Sequence, residues 1–587
     1  MKGKRILTLL LAAAMLCSLS SCIDVERFLP DTDTGSEQTE TGTGTAPATG
    51  TETESETGTE PVPATETETG TETGSETGTE TGTETGSEPE TDTAVDVYND
   101  PEGYNPIITG LSDIPPLLSS MQLFRTYGYD SVEGDDGIML ATASWEQLSL
   151  APVAEVNHPE LSAAIRTYNE NLKMEAQMDL KELAEKAREN PAAEGESYSV
   201  TIRILVKRAD EKALSLLTQK KIADGESVHA TYDSIVYSPD TGEAMPIEQM
   251  IASEDLLLEA FVREFTMHYH NTYVSDPEAT FGKVLSENKI PWVLEPAGLV
   301  FYMSPGTYAD PSEGLLKINL PFSGNREVYP GDVTDVPDSY VIPFCPEETV
   351  LVPALNGGMT LDAWVTYDEA GVYYESLHVQ TDATQYDFER SGVDADFYFV
   401  KSGSRKLLIV DSVQVGSHGD FTIFSLETDG RVLFQGNLEG ESLNGAYFSA
   451  EGYGDFVFTD PECFLLSSKI DNLSTYTGIR LFSFDGGIIP QPADQAYLAL
   501  CDFKLTLKKD LELELLYNET RRPTGTKVTV PEGTELSFVR TDRNGFVEMT
   551  DGNGLYVRVN LDSPASYPPK IDGVPADELF DGIMYAG

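Results

Sequence analysis

From Asp31 to about Val95 the chain consists almost entirely of Thr, Glu, Gly, Ser and Pro, with Thr-Glu-Thr-Gly and Gly-Ser-Glu recurring. This stretch holds 17 acidic residues and no Lys or Arg. With almost nothing to bury, it cannot offset the entropy lost on ordering, and its like charges repel and extend it. The composition therefore predicts a disordered tether over residues 22–95 and confines folding to the residues C-terminal to it. Asp31-Thr32-Asp33-Thr34-Gly35 has the look of a calcium loop, but the composition of the tract already accounts for it. Threonine glycosylation is compatible with the same stretch.

The residues before the tract address the compartment. Lys2, Lys4 and Arg5 precede an apolar run of about 11 residues that begins at Ile6, whereas a helix needs about 20 to span a bilayer. A signal peptide over residues 1–21 is expected rather than a membrane anchor. Leu19-Ser20-Ser21-Cys22 then resembles the bacterial lipobox, whose cysteine thiol receives a diacylglyceryl group, so that palmitate-like acyl chains would hold Cys22 at the cell membrane. The expected location is the extracytoplasmic face, with the lipid anchor as the membrane contact. No later segment is apolar enough to cross a membrane.

About 490 residues remain from Ala94 onward, enough for two to four domains. They carry about 80 acidic against 34 basic residues, so about −46 of the whole-chain charge of −61 remains without the signal peptide and the tract. Such a surface repels nucleic acid and anionic lipid, and no nucleic-acid partner is expected. Cys345, Cys463 and Cys501 are widely spaced and form no Cys-x-x-Cys pair. They read as buried thiols or one disulfide, not as a structural zinc site. No metal ligand set and no cofactor is expected.

Over residues 96–330 the pattern is that of an α+β module. A strand is expected at Ile138-Met139-Leu140. A long helix comes next, with Leu161, Ile165, Tyr168 and Leu172 at helical spacing, Pro159 in its first turn and Asn190-Pro191 ending it. Strands are expected at Tyr198–Val206, Ala213–Leu217 and His229–Tyr237, with a turn at Ser238–Gly242. A second helix is expected from Ser253, carrying Leu258, Phe261, Phe265 and Tyr269, and short strands return at Trp292–Leu294, Val300–Tyr302 and Leu315–Leu320. This order points to a mostly antiparallel sheet.

Val236–Glu243, the Pro246–Phe265 helix, Trp292–Tyr302 and Gly314–Phe322 together resemble one family. It is the paired uncharacterised extracellular domains of the lysozyme-sensing anti-sigma factor of Gram-positive bacteria, a pair that also precedes the catalytic domain of a peptidoglycan deacetylase. The resemblance covers about residues 136–325. Where the family's turn would read Gly-Gly-Ala-His, this chain has Asp224–His229. The resemblance implies an extracytoplasmic envelope module without lysozyme binding in particular.

Residues 336–500 change to short alternating strands with glycine turns. Phe397–Val400, Leu407–Val410, Phe421–Leu426 and Val432–Phe434 form a four-strand meander, with similar clusters near Leu361–Thr381 and Phe456–Phe484. Both a propeller-like and a sandwich-like all-β region fit this spacing. Residues 502–587 are expected to form a small SH3-like barrel and tail, with strands at Phe503–Leu507, Leu511–Leu516, Lys527–Val530, Glu535–Arg540, Gly545–Met549 and Leu555–Val559. Leu555-Tyr556-Val557 resembles the last strand of the bacterial SH3-like barrels.

Catalytic signatures are sparse. No Gly-x-Ser-x-Gly elbow occurs. Ser286-Glu287-Asn288-Lys289 matches Ser-x-x-Lys, with Lys401-Ser402-Gly403 and Ser442-Leu443-Asn444 as nominal partners, but these fall in regions expected to fold separately. His268 and His270 would point to different helix faces, with His268 expected to pack near the Phe261–Phe265 stripe. Trp292, Phe301, Tyr302 and Trp364 are candidate ligand-facing aromatics, against the commoner reading of core and cross-strand pairs. The expectation is a surface-anchored, non-catalytic binding or sensing lipoprotein engaging peptidoglycan or a secreted protein. The alternatives are a glycan hydrolase with an unmarked carboxylate pair, and a structural partner of another envelope protein.

Overall fold

The computed structural model describes residues 121–587, apart from 136, 192–197, 226, 271, 332, 347, 354–357, 369–372, 414–418, 446, 450–451, 486, 494–495, 519, 563–567 and 586–587. The expected signal peptide, Cys22 and the tether lie outside the described residues.

The first sheet starts earlier than the sequence suggests, with β1 (Leu123–Glu133) paired antiparallel to β2 (Met139–Leu150). Gly128 sits opposite Trp145, and a Cβ at Gly128 would overlap the indole, so only glycine lets the ring cross β1. A short helix α1 (Pro152–Asn157) leads into α2 (Pro159–Glu189), as the spacing predicts. Leu161, Ile165, Leu172, Leu180 and Leu183 lie on one buried stripe of α2, which packs across β1, β2 and β3. β3 (Tyr198–Ala209) runs parallel to β2. β4 (Leu214–Asp224) and β5 (Val228–Tyr237) complete an antiparallel meander.

Next come α3 (Glu254–His268) and a helix that periodicity does not reveal, α4 (Pro277–Ser286), capped by Asp276, which accepts from the Ala279 N–H at 3.1 Å. Phe261, Phe265 and Phe281 join them to the three-stranded sheet of β6 (Trp292–Glu295), β7 (Gly298–Met303) and β8 (Leu316–Pro321). β6 also packs against β3, β4 and β5.

The middle of the chain forms a β-sandwich, not propeller blades. One sheet is β10 (Val350–Val352), β11 (Met359–Tyr367), β12 (Tyr374–Thr381) and β13 (Gln385–Gly392). The other adds β9 (Tyr340–Phe344) to the expected meander of β14 (Asp394–Ser402), β15 (Arg405–Val413), β16 (Gly419–Leu426) and β17 (Val432–Glu439). This second sheet is covered on both faces. Leu408, Val410 and Phe424 pack with Leu361 and Val379 on one side. Leu407, Ile409, Phe421 and Ile423 pack with Phe464 and Ile479 on the other. Burial on both faces is why β15 and β16 read as nearly continuous apolar runs.

β18 (Glu441–Ser442), β19 (Tyr447–Ser449) and β20 (Gly452–Phe456) link the halves. β20 pairs with β1, so this later stretch of chain supplies two strands of the first, seven-stranded sheet. β21 (Phe464–Asp471), β22 (Thr475–Ser483), β23 (Gln491–Pro492) and β24 (Tyr497–Leu500) come after them.

The last unit has β25 (Lys504–Leu507), β26 (Leu511–Leu516), β27 (Pro523–Val530), β28 (Glu535–Thr541), β29 (Phe546–Thr550) and β30 (Tyr556–Asn560). Its strand order is β27-β26-β30-β29-β28-β25, wrapped around Leu513, Val530, Leu536, Val547, Met549, Val557 and Phe580. This is a small SH3-like barrel in which, among the described residues, no pairing joins β27 back to β25. β24 pairs with β28, so the barrel continues the sheet of β21 and β22.

Candidate functional site

Two buried charge clusters sit where the sheets meet. The first gathers around Glu348, in the loop between β9 and β10. Lys207 ends the apolar run Ile204-Leu205-Val206 on β3, and its ammonium donates to both Glu348 oxygens at 2.7 and 2.8 Å and to the Pro343 carbonyl at 2.7 Å. Lys317 on β8 donates to Glu348 Oε1 at 2.7 Å and to the Thr349 carbonyl at 3.1 Å. The Tyr302 hydroxyl on β7 donates to the same oxygen at 2.8 Å, and Glu295 Oε1 lies 4.0 Å from Lys207 and 3.9 Å from Lys317.

Two lysines thus face two glutamates, all buried. Burial alone would raise the Glu348 carboxyl, but the two ammonium groups outweigh it and hold its pKa at about 2. Burial, reinforced by Glu348 and Glu295, pushes the Tyr302 hydroxyl well above the ordinary phenol range.

The second cluster lies between β1–β3 and β14–β15. Glu146 accepts from the Ile204 N–H at 2.5 Å and lies 3.4 Å from Arg125 and 3.8 Å from Arg203. Arg203 donates to Asp396 at 2.5 Å. Asp411 Oδ2 accepts from Ser442 Oγ and the Leu443 N–H, each at 3.0 Å, and from Asn444 Nδ2 at 3.3 Å. Asp455 on β20 accepts from Tyr127 and, at 2.6 Å, from the Gly445 N–H. Burial pushes the Asp455 carboxyl up to about 6, and burial together with Asp396 drives Asp411 well above the usual carboxylate range. The cavity beside Asp455 and Asn444 has room for roughly one water molecule, far less than a sugar ring requires.

A third group is exposed, on the outer face of β11–β13. Thr366 Oγ1 lies 2.7 Å from His378 Nε2, and His378 Nδ1 lies 2.6 Å from Asp387, which also accepts from Gln385 at 3.0 Å. Trp364 stacks on His378 with ring centroids 5.1 Å apart. The hydrogen bond from His378 holds the Asp387 carboxyl below its ordinary range. Hydroxyl, imidazole and carboxylate stand in the order of a nucleophile relay. The carboxylate side chain is 63% exposed and the group lies on a paired sheet face rather than in a cleft, so the arrangement is that of cross-strand polar pairs.

The candidate aromatics do not share one surface. Trp292, Phe301 and Tyr302 all point into the interior. Trp292 and Phe301 belong to the core beneath α3, while Tyr302 forms part of the Glu348 cluster. Strand β7 is buried on both faces, so its alternating residues enter two different cores. Trp364 alone of the four is partly exposed.

His268 is exposed beside Glu264, not packed on the aromatic stripe. Ser286, Lys401 and Ser442 are engaged separately: with the Lys283 carbonyl, with the Pro337 and Asp338 carbonyls, and with Asp411. Among the described residues no disulfide forms, and burial pushes the Cys463 thiol up to about 12. No described helix is long and apolar enough to cross a membrane, and no described group of His, Cys, Asp and Glu could hold a metal ion.

The chain's structural neighbours are DUF3298 family proteins. One, from Bacteroides fragilis NCTC 9343, aligns over 36% of this chain and 95% of its own, at 10% identity and a TM-score of 0.27. Another, from Pseudomonas aeruginosa PAO1, aligns over 39% of this chain and all of its own, at 10% identity and a TM-score of 0.25. Neither likeness assigns a site residue. No family model matches the chain, and no curated protein matches it.

Neither buried cluster is foreseen by motif or periodicity. The available signal is a lysine inside an apolar strand, as in Leu205-Val206-Lys207 and Leu316-Lys317-Ile318. A buried charge at such a position must find a partner.

Proposed function

We propose that this protein is a non-catalytic binding or sensing lipoprotein, anchored through Cys22 to the outer face of the cell membrane. It would present its folded body to wall material or to a secreted protein. The observation that carries this reading is the order of the first 95 residues: basic residues, a short apolar run, Leu-Ser-Ser-Cys, then an acidic Thr/Glu/Gly spacer. A flexible chain of that length reaches about 45 Å at roughly 5–6 Å × √n, and further when like charges extend it.

The character of the described ionisable clusters supports a non-catalytic role. Lys207, Lys317, Glu348, Asp411 and Asp455 are enclosed and engaged in holding sheets together. The test is co-sedimentation of the mature protein with purified peptidoglycan, and pull-down with secreted muramidases. Enrichment over a charge-matched acidic control is expected in at least one arm. No enrichment in either arm, together with glycan cleavage in a zymogram, would replace this reading with the hydrolase.

A further inference from the structure

The chain is strongly acidic, yet at one place two arginines share a single carboxylate. Arg480 stands on β22, and Arg543 lies in the turn between β28 and β29. Arg480 Nη2 is 3.6 Å from Glu441 Oε1, and Arg543 Nη1 is 3.8 Å from the same oxygen. Among the described residues Glu441 is the one carboxylate paired with either guanidinium, so the group carries a surplus positive charge. Asp542, next to Arg543 in the chain, is spent within its own turn. It accepts from the Asn544, Gly545 and Phe546 N–H groups at 3.0, 2.7 and 2.9 Å.

The sheet brings the two arginines together. A Cβ at Gly478 of β22 would lie 2.9 Å from the Tyr497 Cβ, so the missing side chain leaves Tyr497 of β24 room to lean toward β18. There its hydroxyl donates to Glu441. The Tyr497 ring lies against both guanidinium groups, 4.2 Å from Arg480 Cζ and 5.9 Å from Arg543 Cζ, and Phe482 flanks Arg480 at 4.9 Å. Stacking occupies the faces of a guanidinium and leaves its in-plane N–H donors for a partner.

Those donors are unspent. Contacts of 3.6 and 3.8 Å are too long for hydrogen bonds. Neither guanidinium donates to a described residue, and Arg480 Nε is buried without a partner. The Arg480 side chain is 18% exposed and that of Arg543 35%, so the group opens to solvent at the Arg543 side.

We propose that Arg480 and Arg543 form a binding site for a monoanionic oxyanion, a carboxylate or a phosphodiester group. One negative charge cancels the surplus, and its oxygens take the in-plane donors that Glu441 does not reach. Glu441, fixed by Tyr497, is the brace that holds two like charges side by side. A neutral or cationic group gains nothing there. The site does not depend on the lipid anchor.

The test is saturation-transfer NMR on the mature protein at constant ionic strength. Acetate and dimethyl phosphate are the probes, each with a methyl signal, and tert-butanol is the neutral control. Saturable transfer to at least one anion is expected, with tert-butanol silent, and the tighter of the two tells carboxylate from phosphodiester. Arg543 stands at φ +73°, in the left-handed region that glycine favours, so Arg543→Gly relieves the backbone while removing the donors. This variant should raise the dissociation constant at least about tenfold. No transfer to either anion, equal transfer to tert-butanol, or undiminished transfer in Arg543→Gly would overturn the site.

Should the variant fail to fold, an arginine-directed dicarbonyl reagent on the unaltered protein, read by peptide mapping, gives the same answer. The bound anion should slow labelling of Arg543 severalfold and leave the exposed Arg431 unprotected. Equal labelling of Arg543 with and without the anion would likewise overturn the site.

Discussion

Glu348 accepts from two ammonium groups and a phenol hydroxyl, and its burial leaves none of those donors a water to turn to. Removing one partner of such a cluster costs far more than the cluster contributes relative to an apolar core, because the charges left behind are unpaired. Glu348→Gln is expected to lower unfolding stability by about 3–5 kcal/mol, read as a lower denaturant midpoint at unchanged slope.

The Glu348 pKa lies below its ordinary value, so its contribution is fully present above about pH 4.5 and is lost as pH falls through about 2. Denaturant midpoints at about pH 5 and about pH 2.5 should show that loss, and Glu348→Gln should remove this part of the acid sensitivity. At Gly128 the constraint is steric. Gly128→Ala places a methyl inside the Trp145 ring contact and should cost about 1–3 kcal/mol as overpacking, measured the same way.

At the scale of elements, β15 makes the sharpest prediction. Its neighbours Leu408 and Ile409 face opposite sides of the sheet and both are fully buried. Leu408→Ala and Ile409→Ala should each cost about 2–5 kcal/mol. A strand wet on one side would show that cost for only one of the two. Gln380, on the exposed face of β12, should tolerate Ala within about 0.5 kcal/mol.

Elements with a long period were legible in the sequence. α2 carries its apolar stripe over 31 residues, and the strands from β14 to β16 announce themselves by apolar runs between glycine turns. β1 alternates poorly because the large side chains of Tyr127 and Tyr129 are exposed and Gly128 between them makes room for the Trp145 ring. α4 buries only Phe281 and so has no stripe to read. The seams were illegible for a different reason. Lys207 and Glu348 lie 141 residues apart, and Arg203 and Asp396 lie 193 apart, so no local pattern brings them together.

Across the whole molecule, the described residues form sheets that exchange strands rather than beads on a string. β20 completes the sheet begun by β1, and β24 joins the barrel to the sheet before it. Lys207 and Arg203, both on β3, each reach a carboxylate in the sandwich region, Glu348 and Asp396. Strand exchange of this kind leaves the described body little internal slack. The proposed role depends on attachment through a lipid on Cys22. The most direct measurement is detergent-phase partition of the unaltered protein and of Cys22→Ala, each expressed in a bacterial host that lipidates exported proteins. The unaltered protein is expected in the detergent phase, heavier by a diacylglyceryl group at Cys22, and Cys22→Ala in the aqueous phase. Equal partition of the two, with an unmodified cysteine, would contradict the anchored role.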